Sequence, residues 1–265
     1  MTDATQLAAR LDDAVRSGLP IPQLSLETAL SLDEAYDVQR AGVDLRRRRG
    51  EQVTGVKLGF TSRAKAEQMG VSDVIVGVVT DAMEIVDGGI IDIARGVHPR
   101  VEPEVAFRLG ESVDPTDPAI DLANAVTDVA PALEVIDSRY RDFRFSLADV
   151  VADNTSASAY VIGPWQSIDD ARATDGLAAR AVELAVDGVT GETGSTEAIL
   201  GDPMAALPAI QRMAARHGHE LPAGAVLLAG AATAALPLQA GTTFTATVAG
   251  LGAASLRVAG GNAHE

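Results

Sequence analysis

Two glutamates, Glu102 and Glu104, are separated by a single proline in the segment 98–107. Because side chains alternate between the faces of a strand, we expect both carboxylates on one face and the neighbouring apolar side chains on the other. Adjacent carboxylates repel each other, and a hard divalent cation such as Mg²⁺ or Mn²⁺ relieves that repulsion by accepting oxygen ligands. The alternative is an ordinary strand edge facing solvent, because Glu-x-Glu by itself is a weak signal.

A third glutamate, Glu134, lies in the otherwise apolar run from Ala132 to Ile136. A buried carboxylate is costly unless it is paired with a cation or bound to a metal. Glu134 is therefore a candidate for the third metal ligand. A structural ion pair with Arg139 or Arg141 is the alternative.

Lys57 lies between two apolar residues in a predicted strand, with Gly55 and Gly59 on either side. A lysine in that position could stabilise an enolate, move a proton or form a Schiff base. The alternative is a lysine whose ammonium reaches solvent. A second polar group, residues 153–156, follows a predicted short helix and is expected either to line a pocket or to form a capped turn.

Composition excludes several classes of protein. The chain has 265 residues, no cysteine and a formal net charge of −16. Without cysteine there is no disulfide scaffold, zinc–thiolate site or cysteine nucleophile. An acidic surface repels phosphate backbones and anionic bilayers, so we expect neither nucleic acid nor membrane as a partner. The sequence predicts neither a signal peptide nor a transmembrane segment, and we therefore expect a cytoplasmic location.

The elements that must position these residues change in character near Gly50. Before it, an amphipathic helix is predicted from Ala4 to Ser17, and Ser31 with Glu34 forms a capping box for a second helix. After it, helices are predicted at 62–69 and 203–217 and strands at 53–59, 76–85, 89–93, 100–109, 132–137, 157–162, 177–186, 189–192, 225–229, 243–249 and 253–258. Turns are predicted at 87–89 and 187–188. Because strands and helices do not alternate regularly, the pattern favours an α+β fold over a doubly wound sheet.

Five runs together resemble the family of 2-oxo-3-hexenedioate (4-oxalocrotonate) decarboxylases and 2-hydroxypentadienoate hydratases, within the fumarylacetoacetate-hydrolase-like superfamily. They are GVKLGFTSRAKAEQMGV at 55–71, HPRVEPEVAF at 98–107, EVIDSRYRDF at 134–143, ADNTSASAYVIG at 152–163 and LLAGAATAALPLQAG at 227–241. The resemblance extends from about residue 31 to residue 258 and keeps the order of the family's motifs. It implies a mixed β-roll core of the fumarylacetoacetate-hydrolase C-terminal type, with a helical N-terminal segment at 1–50 and a metal-binding catalytic domain at 51–265.

The resemblance also implies a set of site residues. The cofactor would be Mg²⁺ or Mn²⁺, and its ligands would be Glu102, Glu104 and Glu134. The catalytic lysine of the pocket would be Lys57. Residues expected to bind the substrate, a small 2-oxo acid, are Gly59, Thr61, Ser62, Asn154 and Ser156.

Two activities occur in this family, and Ile75 bears on the choice between them. Hydratases of the family usually carry an aspartate at the position of Ile75, whereas the runs 136–143 and 230–235 resemble those of decarboxylases. Decarboxylation needs an electron sink more than a base that activates water. We therefore expect a decarboxylase of 2-oxo-3-hexenedioate in aromatic meta-cleavage catabolism, releasing CO₂ and 2-hydroxypenta-2,4-dienoate. The alternatives are a 2-hydroxypenta-2,4-dienoate hydratase or a relative acting on another 2-oxo acid. The resemblance further suggests a homo-oligomer and a complex with a dienoate hydratase.

Overall fold

The computed structural model describes residues 3–62 and 73–260. Its α-helices are α1 (Ala4–Ser17), α2 (Leu32–Arg48), α3 (Leu122–Ala125), α4 (Leu147–Ala152), α5 (Ile168–Asp175) and α6 (Ala206–His217). Its strands are β1 (Val53–Gly59), β2 (Ile75–Thr80), β3 (Glu84–Ile85), β4 (Ile90–Ile91), β5 (Arg100–Leu109), β6 (Val126–Ile136), β7 (Ala157–Ile162), β8 (Gln166–Ser167), β9 (Ala181–Val186), β10 (Val189–Ser195), β11 (Val226–Ala231), β12 (Leu236–Pro237), β13 (Thr243–Val248) and β14 (Gly252–Val258). The predicted helix at 62–69 lies outside the described residues from position 63 onward.

The N-terminal helices begin and end where their capping residues predict. The carboxylate of Asp3 accepts hydrogen bonds from two backbone N–H groups of the first turn of α1, and Gly18 ends that helix at φ 66°. Ser31 and Glu34 form the predicted capping box at the start of α2. Both helices place apolar side chains in the core that also contains β1, β2 and α6. The core is therefore continuous across residue 50, and the division into two segments stays a prediction.

Two sheets form the body of the protein, which confirms the α+β class. The large sheet has nine strands, and its main path runs β2-β1-β11-β5-β6-β7-β3. The small sheet has five strands in the order β10-β9-β13-β14-β4. The two sheets pack through a shared apolar cluster in which Val101 and Leu133 of the large sheet meet Phe244 and Leu256 of the small one.

The opposite face of the large sheet carries the candidate chemistry. The pairing registers connect Lys57 on β1 to Leu228 on β11, and Leu228 to Ala106 on β5. Side chains of paired residues lie on the same face, so Lys57 shares a face with Glu102 and Glu104. Several other positions on this face are alanines, including Ala106 and Ala132, which are fully buried. These small side chains leave room for long charged ones.

Several strand predictions need correction, among them 132–137, which belongs to a longer strand that begins at Val126. The predicted strand 76–85 is interrupted, because a 3-10 turn at Asp81–Met83 separates β2 from β3. The turn near Gly88 does not join a hairpin: β3 pairs with β7 in the large sheet, while β4 pairs with β14 in the small one. The predicted strand 177–186 begins only at Ala181. The error at Gly88 arises because β3 and β4 have only two residues each and pair with strands that are distant in sequence.

Two of the helices in the described part of the chain were not predicted from the sequence. Sequence patterns gave no sign of α3 or α5, which have four and eight residues. The predicted helix 203–217 begins as a 3-10 turn and becomes α-helical at Ala206. Among the described residues, no helix is long and apolar enough to cross a membrane.

Candidate metal centre

Three glutamates converge on the inner face of the large sheet. Glu102 on β5 lies directly opposite Glu134 on β6, and Glu104 follows two residues further along β5. One carboxylate oxygen from each lies within 4.8 Å of the others. Their residues are 5%, 0% and 1% exposed for Glu102, Glu104 and Glu134. The geometry thus brings together the three ligands that the sequence predicts, although their role as ligands stays a prediction.

The electrostatics of this cluster are unfavourable without a further cation. Burial, together with the charges of its two neighbours, raises the pKa of Glu104 well above its usual value. Burial also raises the pKa of Glu134 to about 7, although Lys57 opposes that shift. Buried oxygens of two of these side chains, Oε1 of Glu104 and Oε1 of Glu134, have no hydrogen-bond donor.

A hard divalent cation fits this arrangement. Three carboxylates and the ammonium of Lys57 would leave a formal charge of −2 inside the protein, and a divalent cation would cancel it. Carboxylate oxygens are the ligands that Mg²⁺ and Mn²⁺ prefer. Oxygens without donors are therefore available to bind such a cation.

Lys57 is held as a buried ammonium beside the glutamates. Its Nζ lies 2.9 Å from Oε2 of Glu134 and donates to the backbone oxygen of Thr155 at 3.2 Å. Burial alone would lower the pKa of Lys57, but the surrounding carboxylates outweigh it, so that the pKa is raised. A protonated amine cannot attack a carbonyl carbon, and the geometry thus favours the electrostatic and proton-transfer roles over a Schiff base. Lys57 is 2% exposed, which excludes the alternative of an ammonium in solvent.

A strained turn supplies the carbonyl that binds Lys57. Asn154, Thr155 and Ser156 all have positive φ, between 50° and 58°. The side chain of Asn154 holds the turn against β2, because its Oδ1 accepts from the N–H of Val78 and its Nδ2 donates to the oxygen of the same residue. The turn also needs space: a Cβ on Gly59 would lie 2.7 Å from Cγ2 of Thr155.

A second special backbone position binds Glu104. The N–H of Gly230 donates to Oε2 of Glu104 at 2.9 Å. Gly230 has φ 113° and lies where the pairing of β11 with β5 is irregular, between Leu228 and Ala231. A Cβ there would lie 2.2 Å from Oγ1 of Thr61, so only glycine fits.

A cavity of about 560 Å³ opens above Lys57 and Glu102. Of the predicted substrate-binding residues, Gly59 and Ser156 line it. The hydroxyl groups of Thr155 and Ser156 are buried and make no hydrogen bond. The remaining lining residues are mainly apolar or cationic: Gln23, Phe60, Ile75, Arg100, Ile136, Phe143, Arg144, Phe145, Val150, Ala234 and Ala235.

Three predicted substrate-binding residues lie elsewhere. Thr61 and Ser62 line a neighbouring cavity, and Phe60 is common to both cavities. Asn154 does not line the cavity above Lys57, and its amide is engaged with the backbone of Val78. The geometry therefore gives Asn154 a positioning role, and direct contact of these three residues with a substrate stays a prediction.

Sequence reasoning missed most of the cavity wall. Gln23 comes from the segment between α1 and α2, which was assigned only a helical role. Arg144 and Phe145 directly follow a quoted family run, 134–143, so their closeness to a motif was the available signal. The apolar residues carry no sequence signal that separates them from core residues.

Comparisons with known proteins agree with the family resemblance of the sequence. The model of the family described as "Fumarylacetoacetate (FAA) hydrolase C-terminal" matches residues 53–259. The chain is 45% identical to a 4-oxalocrotonate decarboxylase from a Pseudomonas species, over 97% of this chain and 98% of that protein. It is 36% identical to a 2-keto-4-pentenoate hydratase from Burkholderia vietnamiensis, over 93% and 94% of the two chains. The solved structure of 4-oxalocrotonate decarboxylase from Pseudomonas putida G7, complexed with magnesium and adipate, superposes with a TM-score of 0.90 at 31% identity and covers 97% of this chain and 98% of its own.

Proposed function

The chain belongs to the fumarylacetoacetate hydrolase C-terminal family, and on that premise we propose that it is a divalent-metal-dependent decarboxylase of 2-oxo-3-hexenedioate. Such an enzyme is a carbon–carbon lyase whose products are CO₂ and 2-hydroxypenta-2,4-dienoate. One observation carries the proposal: three buried glutamates and a buried lysine meet at the base of a cavity. The fold class that the sequence predicts, α+β, is also the fold class of this family.

Glu102, Glu104 and Glu134 would hold Mg²⁺ or Mn²⁺. The magnesium complex of the Pseudomonas putida G7 enzyme supports Mg²⁺ as the first candidate. When bound, the cation would supply a Lewis acid that draws electron density towards the 2-oxo group of the substrate.

Lys57 would stabilise the negative charge that develops when the bond between C5 and C6 breaks. C6 leaves as CO₂, and the electron pair of the broken bond moves through C4 and C3 to the oxygen on C2, which gives a dienolate. An ammonium has three N–H groups, and two directions around Nζ are taken by Glu134 and by the carbonyl of Thr155. The third can stabilise the dienolate and donate the proton that completes 2-hydroxypenta-2,4-dienoate.

Thr155 and Ser156 would help to orient the substrate. Their hydroxyl groups are buried without hydrogen-bond partners, and both residues line the cavity. An unpaired buried hydroxyl costs free energy, and a carboxylate of the substrate would satisfy it. Ser156 thereby keeps the role that the sequence predicts for it.

The wall of the cavity favours decarboxylation over hydration. Ile75 lines the cavity at the position where hydratases of the family usually carry an aspartate. Among the described residues that line the cavity, Glu102 is the only acid, and it belongs to the proposed metal centre. Within the described part of the chain, no second carboxylate thus lines this cavity to activate water.

Parallel turnover assays test the proposal. The purified protein is given 2-oxo-3-hexenedioate or 2-hydroxypenta-2,4-dienoate, each with Mg²⁺ and with a chelator, while CO₂ and the ultraviolet spectra are followed. We expect metal-dependent release of CO₂ from the first compound and little consumption of the second. Hydration of the dienoate without release of CO₂ from the diacid would favour the hydratase instead. Release of CO₂ that is unchanged by the chelator would contradict the metal-dependent mechanism.

A further inference from the structure

Two arginines of the cavity wall have no acidic partner among the described residues. Arg100 and Arg144 both line the cavity and are exposed to solvent. Within the residues that the structure describes, neither guanidinium forms an ion pair, whereas Arg10, Arg49 and Arg139 each bind a carboxylate. In a chain with a net charge of −16, two unpaired cations beside one cavity indicate an anionic ligand.

Arg100 is positioned along the same strand as the proposed metal centre. It precedes Glu102 by two residues on β5, so the two side chains leave the same face of the strand roughly 7 Å apart. That spacing is comparable with the distance between the two carboxylates of an extended six-carbon diacid. A substrate with its 2-oxo acid end near Glu102 can therefore bring its other end to Arg100.

The guanidinium of Arg100 is also held in place. It lies over the ring of Phe143, 4.6 Å from the ring centroid. Phe143 and the preceding Asp142 both have positive φ, 56° and 59°, so an unusual backbone turn presents the ring to Arg100. The same turn leads directly into Arg144. Neighbouring segments of the structure therefore place the two guanidinium groups at the cavity.

We propose that Arg100 and Arg144 bind the distal carboxylate of the substrate and select dianionic six-carbon 2-oxo acids over monoanionic ones. This inference rests on the proposed function, since it assigns the far end of the same cavity. Guanidinium groups bind carboxylates through two parallel hydrogen bonds, which gives direction as well as charge. The substrate of a dienoate hydratase has no second carboxylate, so two arginines at this position would have no anionic group of that substrate to bind.

The chemistry of the reaction predicts which kinetic constant the arginines control. The distal carboxylate becomes neutral CO₂ in the reaction, so an ion pair with it stabilises the bound substrate at least as much as the transition state. Interactions of that kind lower KM and do not raise kcat. The arginines therefore act in capture and selection of the dianion, while Lys57 acts in the bond-breaking step.

The test uses the double variant Arg100→Gln/Arg144→Gln, with Arg257→Gln as the matched control. Arg257 is an exposed arginine on a strand of the small sheet, and it does not line this cavity. With the Mg²⁺-loaded enzyme, we expect the double variant to raise KM for 2-oxo-3-hexenedioate about tenfold or more, because charge-assisted hydrogen bonds are lost. We expect kcat to stay within about twofold or to rise. The control variant should keep the wild-type KM and kcat. Lysine in place of glutamine at position 100, in the variant Arg100→Lys/Arg144→Gln, should restore part of the affinity that the double variant loses.

Direct binding separates this inference from the proposed activity. Calorimetric titration of the Mg²⁺-loaded protein with adipate and with hexanoate compares a dianion with a monoanion of the same length. We expect the wild type to prefer adipate and the double variant to lose that preference, whether or not the protein releases CO₂. An unchanged preference in a folded double variant, or an equal loss of affinity for both acids, would overturn the inference. A fall in kcat at constant KM would overturn it as well.

Discussion

At the scale of residues, the proposed metal centre depends on four ionisable side chains that share one small buried volume. Glu102, Glu104, Glu134 and Lys57 are each at most 5% exposed. Burial raises the pKa of Glu104, and the neighbouring carboxylates raise it further. The same carboxylates favour a positive charge, and they outweigh burial to raise the pKa of Lys57. The ammonium offsets part of the charge, and the rest is available for a divalent cation.

Replacing Lys57 with methionine tests the role of the ammonium. Lys57→Met removes the proton donor and the charge beside the reacting atoms, so we expect kcat for release of CO₂ to fall by about 100-fold or more. Because the variant leaves the carboxylates without their cation, it should bind Mg²⁺ at least as tightly as the wild type. Steady-state kinetics and metal titration measure the two effects. A folded variant with wild-type kcat would show that Lys57 does not take part in the reaction.

The sequence predicted these residues better than it predicted their surroundings. Alternation along a strand placed Glu102 and Glu104 on one face, and an acid in an apolar run identified Glu134 as a special residue. Their convergence with Lys57 depends on strand pairings between positions far apart in the chain, which local patterns do not contain. Arg100 and Arg144 were not predicted as cavity residues, because nothing in the local sequence distinguishes an arginine of a cavity from an arginine of the surface.

At the scale of elements, irregular backbone positions place the site. The irregular pairing at Gly230 brings an N–H group to Glu104, and the positive-φ turn at 154–156 brings a carbonyl to Lys57. Regular strands would direct these groups into the sheet instead. The glycine was part of a quoted family run, but its conformation could not be read from the sequence.

Gly230→Ala tests the first of these positions, and Gly241→Ala is a matched control. Both glycines have positive φ, but a Cβ on Gly241 would meet nothing within 4 Å, whereas one on Gly230 would strike Thr61. We expect Gly241→Ala to lower the free energy of unfolding by about 1 kcal/mol and to leave Mg²⁺ affinity unchanged. Gly230→Ala should cost about 3 kcal/mol or more and weaken Mg²⁺ binding. Urea unfolding and calorimetry measure both, and equal effects of the two substitutions would contradict the assignment.

The short strands show where prediction from sequence stops. The segment around Asp87 and Gly88 has the composition of a hairpin turn, yet β3 and β4 join different sheets. Each has only two residues, so its pairing is decided by β7 and β14 rather than by the turn. Strand β5 was predicted with the correct bounds, because its alternation extends over ten residues, whereas the first six residues of β6 were missed.

At the scale of the whole molecule, the N-terminal segment is joined to the site through buried polar contacts. The carboxylate of Asp149 accepts hydrogen bonds from the N–H and hydroxyl groups of Ser25, and Gln39 donates to the backbone oxygens of Val76 and Val151. Gln23 lines the cavity itself. The cytoplasmic location, the homo-oligomer and the complex with a dienoate hydratase stay predictions.

Two buried histidines make the stability of the fold depend on pH. Burial lowers the pKa of His217 and of His219 to about 4, from 6.5, with smaller effects of neighbouring positive charge. Below pH 6.5 the unfolded chain binds protons that the folded chain rejects, so their stabilising contribution is complete above pH 6.5 and is lost as the pH falls towards 4. Burial raises the pKa of Asp153 to about 6, which acts in the opposite direction.

Comparison of the wild type with His217→Gln/His219→Gln isolates the histidines from that opposing effect. We expect the free energy of unfolding of the wild type to fall between pH 7 and pH 5 by about 1 to 3 kcal/mol more than that of the double variant. Urea unfolding in the presence of a chelator measures both without a contribution from metal. Identical dependence on pH in the two proteins would show that the histidines do not titrate differently on folding.

The most direct test is calorimetric titration of chelator-treated protein with Mg²⁺ and Mn²⁺, in the wild type and in Glu104→Gln, with Glu220→Gln as the control. Glu104 is fully buried in the cluster, whereas the side chain of Glu220 is 75% exposed. We expect one cation per chain in the wild type and the control, and a loss of affinity of about 100-fold or more in Glu104→Gln, because a buried ligand and its charge are removed. Wild-type protein that binds neither cation, or a Glu104→Gln variant that binds as tightly as the wild type, would rule out the proposed metal centre.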